Sequence, residues 1–94
     1  MANQLHVELV AVEEKIWSGE AEMVLARTTE GELGVLPGHA PLLGMLAEPG
    51  QVRITLSGGE QRTYDVTGGF LSVTAEKVTI LAEKAVPATA AASN

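Results

Sequence analysis

The sequence predicts an all-β domain, an antiparallel sandwich or barrel, from three observations. Apolar and polar residues alternate in short pieces, the period-2 signature of strands with one buried face. Turn chemistry separates these pieces at spacings of about eight to twelve residues, the habit of antiparallel meanders. The third observation is a core that has to be aliphatic. Hydrophobic residues make up 46% of the chain, yet Trp17, Tyr64 and Phe70 are its only aromatics.

The elements follow in order. Leu5, Leu9, Val12 and Ile16 also fit a helical stripe, so periodicity alone is ambiguous over residues 5–17. Val7, Val10 and Val12, with Leu5, Val7 and Leu9 alternating against His6 and Glu8, favour a strand. Glu13-Glu14 reads as a turn into a short strand ending at Trp17. Ser18-Gly19 reads as a second turn, followed by a longer strand over residues 20–28. Residues 31–43 run Gly-Glu-Leu-Gly-Val-Leu-Pro-Gly-His-Ala-Pro-Leu-Leu. Pro37-Gly38 is a turn dipeptide, because proline presets φ and glycine accepts positive φ. Pro41 biases Ala40 away from the helical region. Leu36 and Leu42 are expected to pin the ends of this loop, with His39 near its tip.

Val52, Ile54 and Leu56 then alternate with Arg53, Thr55 and Ser57, and Ser57-Gly58-Gly59-Glu60 is a hairpin signal. Residues 61–66 form the next strand, with Arg62, Tyr64 and Val66 on one face. Gly68-Gly69 is read as its end, and residues 70–74 as a new strand. Ala75-Glu76-Lys77 turns the chain, and residues 78–82 return. The expected organisation is one domain over residues 1–84 and a frayed tail over residues 85–94, where Pro87 interrupts an alanine-rich run.

Charge and composition narrow the function. A net charge of −6, spread without a basic cluster, speaks against nucleic acid and anionic lipid as partners. With no cysteine, disulfide scaffolds and thiolate zinc sites are excluded. No window approaches the roughly 18 apolar residues of a membrane span, so no direct membrane insertion is expected. The first residues carry neither the basic region nor the apolar run of a signal peptide. His6 and His39 show no paired spacing, so His39 reads as a contact residue rather than a metal ligand. Glu30 and Glu32 share one face of an extended segment, and three aromatics are too few for a sugar platform around them. Neither glycine pair leads from a strand into a helix, so neither is a phosphate cradle. No catalytic residue, metal site, cofactor or small-molecule ligand is expected. The competing reading is a small-ligand-binding β-sandwich or cupin-like metal site.

Four ordered blocks carry a family resemblance. They are residues 29–43 from Thr29 to Leu43, Trp17-Ser18-Gly19, Gly50-x-Val52-x-Ile54, and Gly68-Gly69-Phe70-Leu71-x-Val73 with Val78-Thr79-Ile80-Leu81-Ala82. In order and spacing, over residues 4–85, the sequence resembles the N-terminal β-domain of the epsilon subunit of bacterial F-type ATP synthases, called delta in mitochondria. The resemblance implies a flattened sandwich of about ten short strands in two roughly five-stranded sheets. It further implies a non-catalytic rotor subunit at the foot of the central stalk, coupling c-ring rotation to ATP synthesis. The partners implied are the gamma subunit and the c-ring, on the cytoplasmic side of the bacterial inner membrane. By position, Thr29, Glu30, Gly31, Glu32, Gly38, His39 and Ala40 would face the c-ring, and Ala11, Leu42, Leu43 and Gly44 would face gamma. Members of the family continue into a C-terminal helical hairpin that inhibits ATP hydrolysis, and some bind ATP through an Ile/Leu-Asp-x-x-Arg motif. The alanine-rich run after Lys84 carries neither that arginine nor a helical stripe, so the expectation is no helical hairpin, no self-inhibition and no ATP site.

Overall fold

Eight strands make up most of the described chain in the computed structural model, which describes residues 4–38 and 40–88. They are β1 (Leu5–Ala11), β2 (Glu14–Ala21), β3 (Met23–Thr28), β4 (Gly31–Val35), β5 (Leu42–Met45), β6 (Gly50–Thr55), β7 (Gln61–Thr74) and β8 (Lys77–Pro87). The sandwich is made by the two longest, because each serves in both layers. One part of β7, residues 61–66, pairs with β6, and another, residues 70–73, pairs with β5. Likewise residues 77–82 of β8 lie beside β1, and residues 84–87 pair with the first half of β7. One layer therefore runs β2, β1, first half of β8, second half of β7, β5. The other runs β4, β3, β6, first half of β7, second half of β8. Counted by halves, this is the expected pair of five-stranded sheets.

Gly69 makes the crossing between layers possible. A Cβ there would overlap the Leu81 carbonyl oxygen and stand 2.6 Å from Ala82 Cα, so only hydrogen fits. Gly68, at φ +60°, supplies the bend beside it. The two glycines thus bend one strand rather than end it, which corrects the expected break. Ser18-Gly19 is corrected in the same way. It lies inside β2, with Gly19 opposite Val7 and Ser18 opposite Glu8. The last strand also continues past Lys84 to Pro87, since Ala85 pairs with Val66 and is buried. Residues 89–94, the rest of the expected tail, lie outside the described residues. Every pairing is antiparallel except that of β1 with β8, which is parallel and joins the two ends of the chain. Pairing over that sequence distance leaves no local signature.

The core follows the alternation. Leu5, Val7 and Leu9 from β1, Val24 and Ala26 from β3, and Val52 and Ile54 from β6 are fully buried and join Leu71, Val78 and Ile80 in one cluster. Each of the larger aliphatic side chains is worth roughly 1.5–3 kcal/mol of burial. Leu36, expected to pin the loop, is 57% exposed, and Val35 takes the buried place instead.

Candidate functional site

Between the β3–β4 hairpin and β5 lies an open groove of about 480 Å³, lined by residues 28–33 and 42–45. Its shape is set by local chemistry at the hairpin tip. Gly31 takes φ +118°, a conformation side chains resist. The Thr28 hydroxyl donates to the Gly31 carbonyl at 2.7 Å and accepts from the Glu30 N–H at 3.2 Å, tying the turn to itself. The Thr29 N–H then donates to the Met45 carbonyl at 3.0 Å, and the Ala47 N–H to the Arg27 carbonyl at 3.0 Å. These two bonds fasten β5, at the edge of one sheet, to the end of β3 in the other.

The groove unites two sets of residues that the sequence analysis kept apart. Thr29, Glu30, Gly31 and Glu32 form one wall, and Leu42, Leu43 and Gly44 the other. Glu30 and Glu32 are exposed, and no lysine or arginine lines the groove among the described residues. Leu42 packs against the core, while Leu43 is 72% exposed. Backbone groups add to this wall. The Leu46 N–H donates to the Gly69 carbonyl, so in an antiparallel ladder Leu42 and Gly44 also bond toward β7. The N–H and C=O of Leu43 consequently point away from β7.

Gly38, Ala40 and Ala11 do not line the groove. Gly38, at φ +86°, donates its N–H to the Ala75 carbonyl at 3.2 Å. The turn carrying Gly38 and Ala40 is thus beside the β7–β8 turn, at the Leu42 end of β5, while the Thr29 turn sits at the Met45 end. His39 lies outside the described residues. Ala11 is buried and pairs with Ala82, three strands from β5 in the same sheet, so it does not line the groove. Among the described residues, no group of His, Asp and Glu is arranged to hold a metal ion.

A set of apolar side chains, of which the sequence reading singled out only Leu43 as a contact residue, stands on the outside of the same sheet. Val12, Leu43, Met45, Phe70 and Leu81 are exposed by between 37% and 72%. The signal was present as consecutive apolar residues where strict alternation predicts polar ones, as in Leu9-Val10-Ala11-Val12 and Ile80-Leu81-Ala82.

Comparison with known proteins agrees with this architecture. Residues 4–88 match the family model described as ATP synthase, Delta/Epsilon chain, beta-sandwich domain. The chain is 61% identical over 82 residues to the ATP synthase epsilon chain of Rhodococcus jostii, covering 87% of this chain and 67% of that relative. It is 56% identical over 81 residues to the ATP synthase epsilon chain of Frankia casuarinae, covering 86% of this chain and 94% of that relative. Among solved structures, a chain of the Euglena gracilis mitochondrial ATP synthase, in an OSCP/F1/c-ring assembly, superposes with a TM-score of 0.85 at 34% identity. That match covers 93% of this chain and 55% of the Euglena chain, so this chain spans about half of that neighbour's length. A chain of the Tetrahymena thermophila mitochondrial ATP synthase shares the fold, with a TM-score of 0.70 at 18% identity. By the family match across nearly its whole length, the chain belongs to the ATP synthase delta/epsilon chains, as their beta-sandwich domain.

Proposed function

We propose that this protein is a non-catalytic rotor subunit of a proton-translocating F-type ATP synthase, standing in the central stalk between the gamma subunit and the c-ring. The observation that carries the reading is the 61% identity to an ATP synthase epsilon chain across almost the whole domain. Its site is the bacterial inner membrane, peripheral and on the cytoplasmic side. The c-ring is met by Thr29, Glu30, Gly31 and Glu32 and by the turn at Gly38, His39 and Ala40. Gamma is met by Leu42, Leu43 and Gly44, and by Ala11 three strands away in the same sheet.

Coupling rotation requires a stiff body more than a reactive one. β7 and β8 pass through both sheets, so the layers cannot slide without breaking strand ladders. The hairpin tip is fastened to β5 by backbone bonds, which holds the acidic wall rigid against the apolar one. The groove is open and lined by backbone, two carboxylates and leucines, which suits a protein surface better than an enclosed small molecule. Co-expression of this chain with gamma and the c-ring of the same cell tests the reading. Recovery of all three in one complex, with ATP-driven proton pumping dependent on this chain, is the expected result. Failure to bind either partner overturns it.

A further inference from the structure

Glu32 belongs to two cavities at once. It forms part of the acidic wall of the groove, and it also lines a smaller cleft of about 140 Å³ with Leu25, Arg27, Gln51 and Arg53. That cleft lies on the outer face of the sheet containing β3, β4 and β6. Val24 and Ala26 of β3 are buried, so Leu25 and Arg27 between and beyond them face outward. Register then sets the neighbours. Arg27 stands directly opposite Glu32 on β4, and Arg53 on β6 stands opposite Leu25. Side chains opposed in this way start from Cβ atoms about 4.5–5.5 Å apart, so guanidinium and carboxylate can meet by side-chain rotation alone. They have not met. The ion pairs among the described residues join Glu8 to His6 and Lys15, and Glu60 to Arg62. Asp65, the other acid on this face, accepts from the Gln51 amide at 3.3 Å.

The charges around Glu32 are one-sided. Two guanidiniums stand on its cleft side. On its groove side stands the Glu30 carboxylate, with no lysine or arginine among the described residues. Attraction and repulsion therefore both draw Glu32 toward the cleft while the groove is empty. A cationic group entering the groove reverses that balance. The Arg27 backbone stays fixed meanwhile, because its carbonyl accepts from the Ala47 N–H at 3.0 Å.

We propose that Arg27, seconded by Arg53, is a positioning residue of the c-ring contact, competing with a cationic group of the c-ring for the Glu32 carboxylate. The inference rests on the functional reading above, which places Glu32 at the c-ring, and adds two residues that reading leaves out. Glu32 turns to the groove only against a partner carrying positive charge there, so the arginines make the contact selective for charge. They also keep it weak, because each engagement of Glu32 removes it from the arginine cleft.

The test measures binding of the full chain to purified c-ring at low and high salt, with thermal unfolding of each free variant as control. At low salt Arg27→Gln is expected to bind the c-ring about two- to fivefold more tightly than wild type, the scale of an exposed ion pair. The gain should vanish near 1 M salt, where the screening length falls to about 3 Å. It should also vanish when Glu32→Gln is already present. Arg27→Lys, which keeps the charge, is expected to stay within twofold of wild type. So is Arg62→Gln, which changes the net charge equally but lies at the Glu60 hairpin. Arg27→Gln binding no more tightly than wild type would overturn the inference and leave the functional reading standing. A gain that persists with Glu32→Gln, or that Arg27→Lys or Arg62→Gln shares, would assign it to hairpin distortion or net charge and overturn it too. Absence of wild-type binding to the c-ring overturns the functional reading, and this inference with it.

Discussion

The indole of Trp17 lies against Gly19, so that a Cβ on Gly19 would stand 2.9 Å from Cη2 and 3.0 Å from Cζ2 of the ring. Trp17 in turn packs on the edge of the core, cross-strand from Leu9. Trp-Ser-Gly is therefore a packing unit on one face of β2, with glycine leaving room for the ring. Gly19→Ala should displace the indole and cost about 1–3 kcal/mol, the usual range for overpacking. Because Trp17 is the only tryptophan, its emission reports the displacement directly, and denaturant unfolding gives the cost. An unchanged emission maximum and midpoint would show that the ring is not held there.

Gly69→Ala should be far more severe. The atoms it meets are the backbone of Leu81 and Ala82, which cannot swing aside as an indole can. The variant is expected to lose more than about 4 kcal/mol, the range reserved for a named structural failure. Little soluble protein, and loss of the β signal in circular dichroism, would be the readout. Gly34→Ala meets only a Leu25 methyl at 3.8 Å and serves as a control expected to fold.

Ile80 and Leu81 are neighbours in sequence with opposite duties. Ile80→Ala should cost about 2–5 kcal/mol, because its side chain is fully buried. Leu81→Ala should cost less than about 1 kcal/mol, since its side chain stands on the outer face. Chemical denaturation of the two variants side by side separates core from surface in one experiment.

The acidic wall should act weakly and electrostatically. Glu30→Gln and Glu32→Gln are each expected to reduce c-ring association by about 0–1 kcal/mol, as for exposed ion pairs. The double variant should also lose part of the salt dependence, because screening acts only on charges that remain. Binding to purified c-ring between low and physiological ionic strength measures this. Equal affinity and equal salt slope in wild type and double variant would remove these carboxylates from the contact.

Thr28→Ala should loosen the hairpin tip. It removes a hydroxyl that both donates to Gly31 and accepts from Glu30, a net effect of roughly 0.5–1.5 kcal/mol. Faster amide exchange at Glu30, with the core amides unchanged, is the expected signature.

Much of the fold was legible where neighbours in sequence are neighbours in space. The Ser57–Glu60 hairpin is one such place, with the Leu56 N–H donating to Glu60 and the Gly59 N–H to Leu56. The turn at Ala75 and Glu76 is another, as are the buried alternate positions of β1, β3 and β6. Ser18-Gly19 and Gly68-Gly69 were misread because glycine has two uses, tolerance of positive φ and absence of a side chain. At Gly19 and Gly69 the second use applies, and at Gly69 the deciding neighbour is on another strand. The acidic turn and the Leu42–Gly44 segment were each visible as candidates. That they form two walls of one groove depends on the Thr29–Met45 bond, which spans two sheets.

Period-2 alternation, turn chemistry and an aliphatic composition determined by themselves that this chain is an antiparallel all-β domain, sandwich or barrel, since each acts over a few residues. Tertiary structure alone decided that β7 and β8 run through both layers, that the chain ends pair in parallel, and that apolar side chains from separate strands stand on one outer face. Those facts rest on register between distant strands, and register is set by mutual burial rather than by local preference.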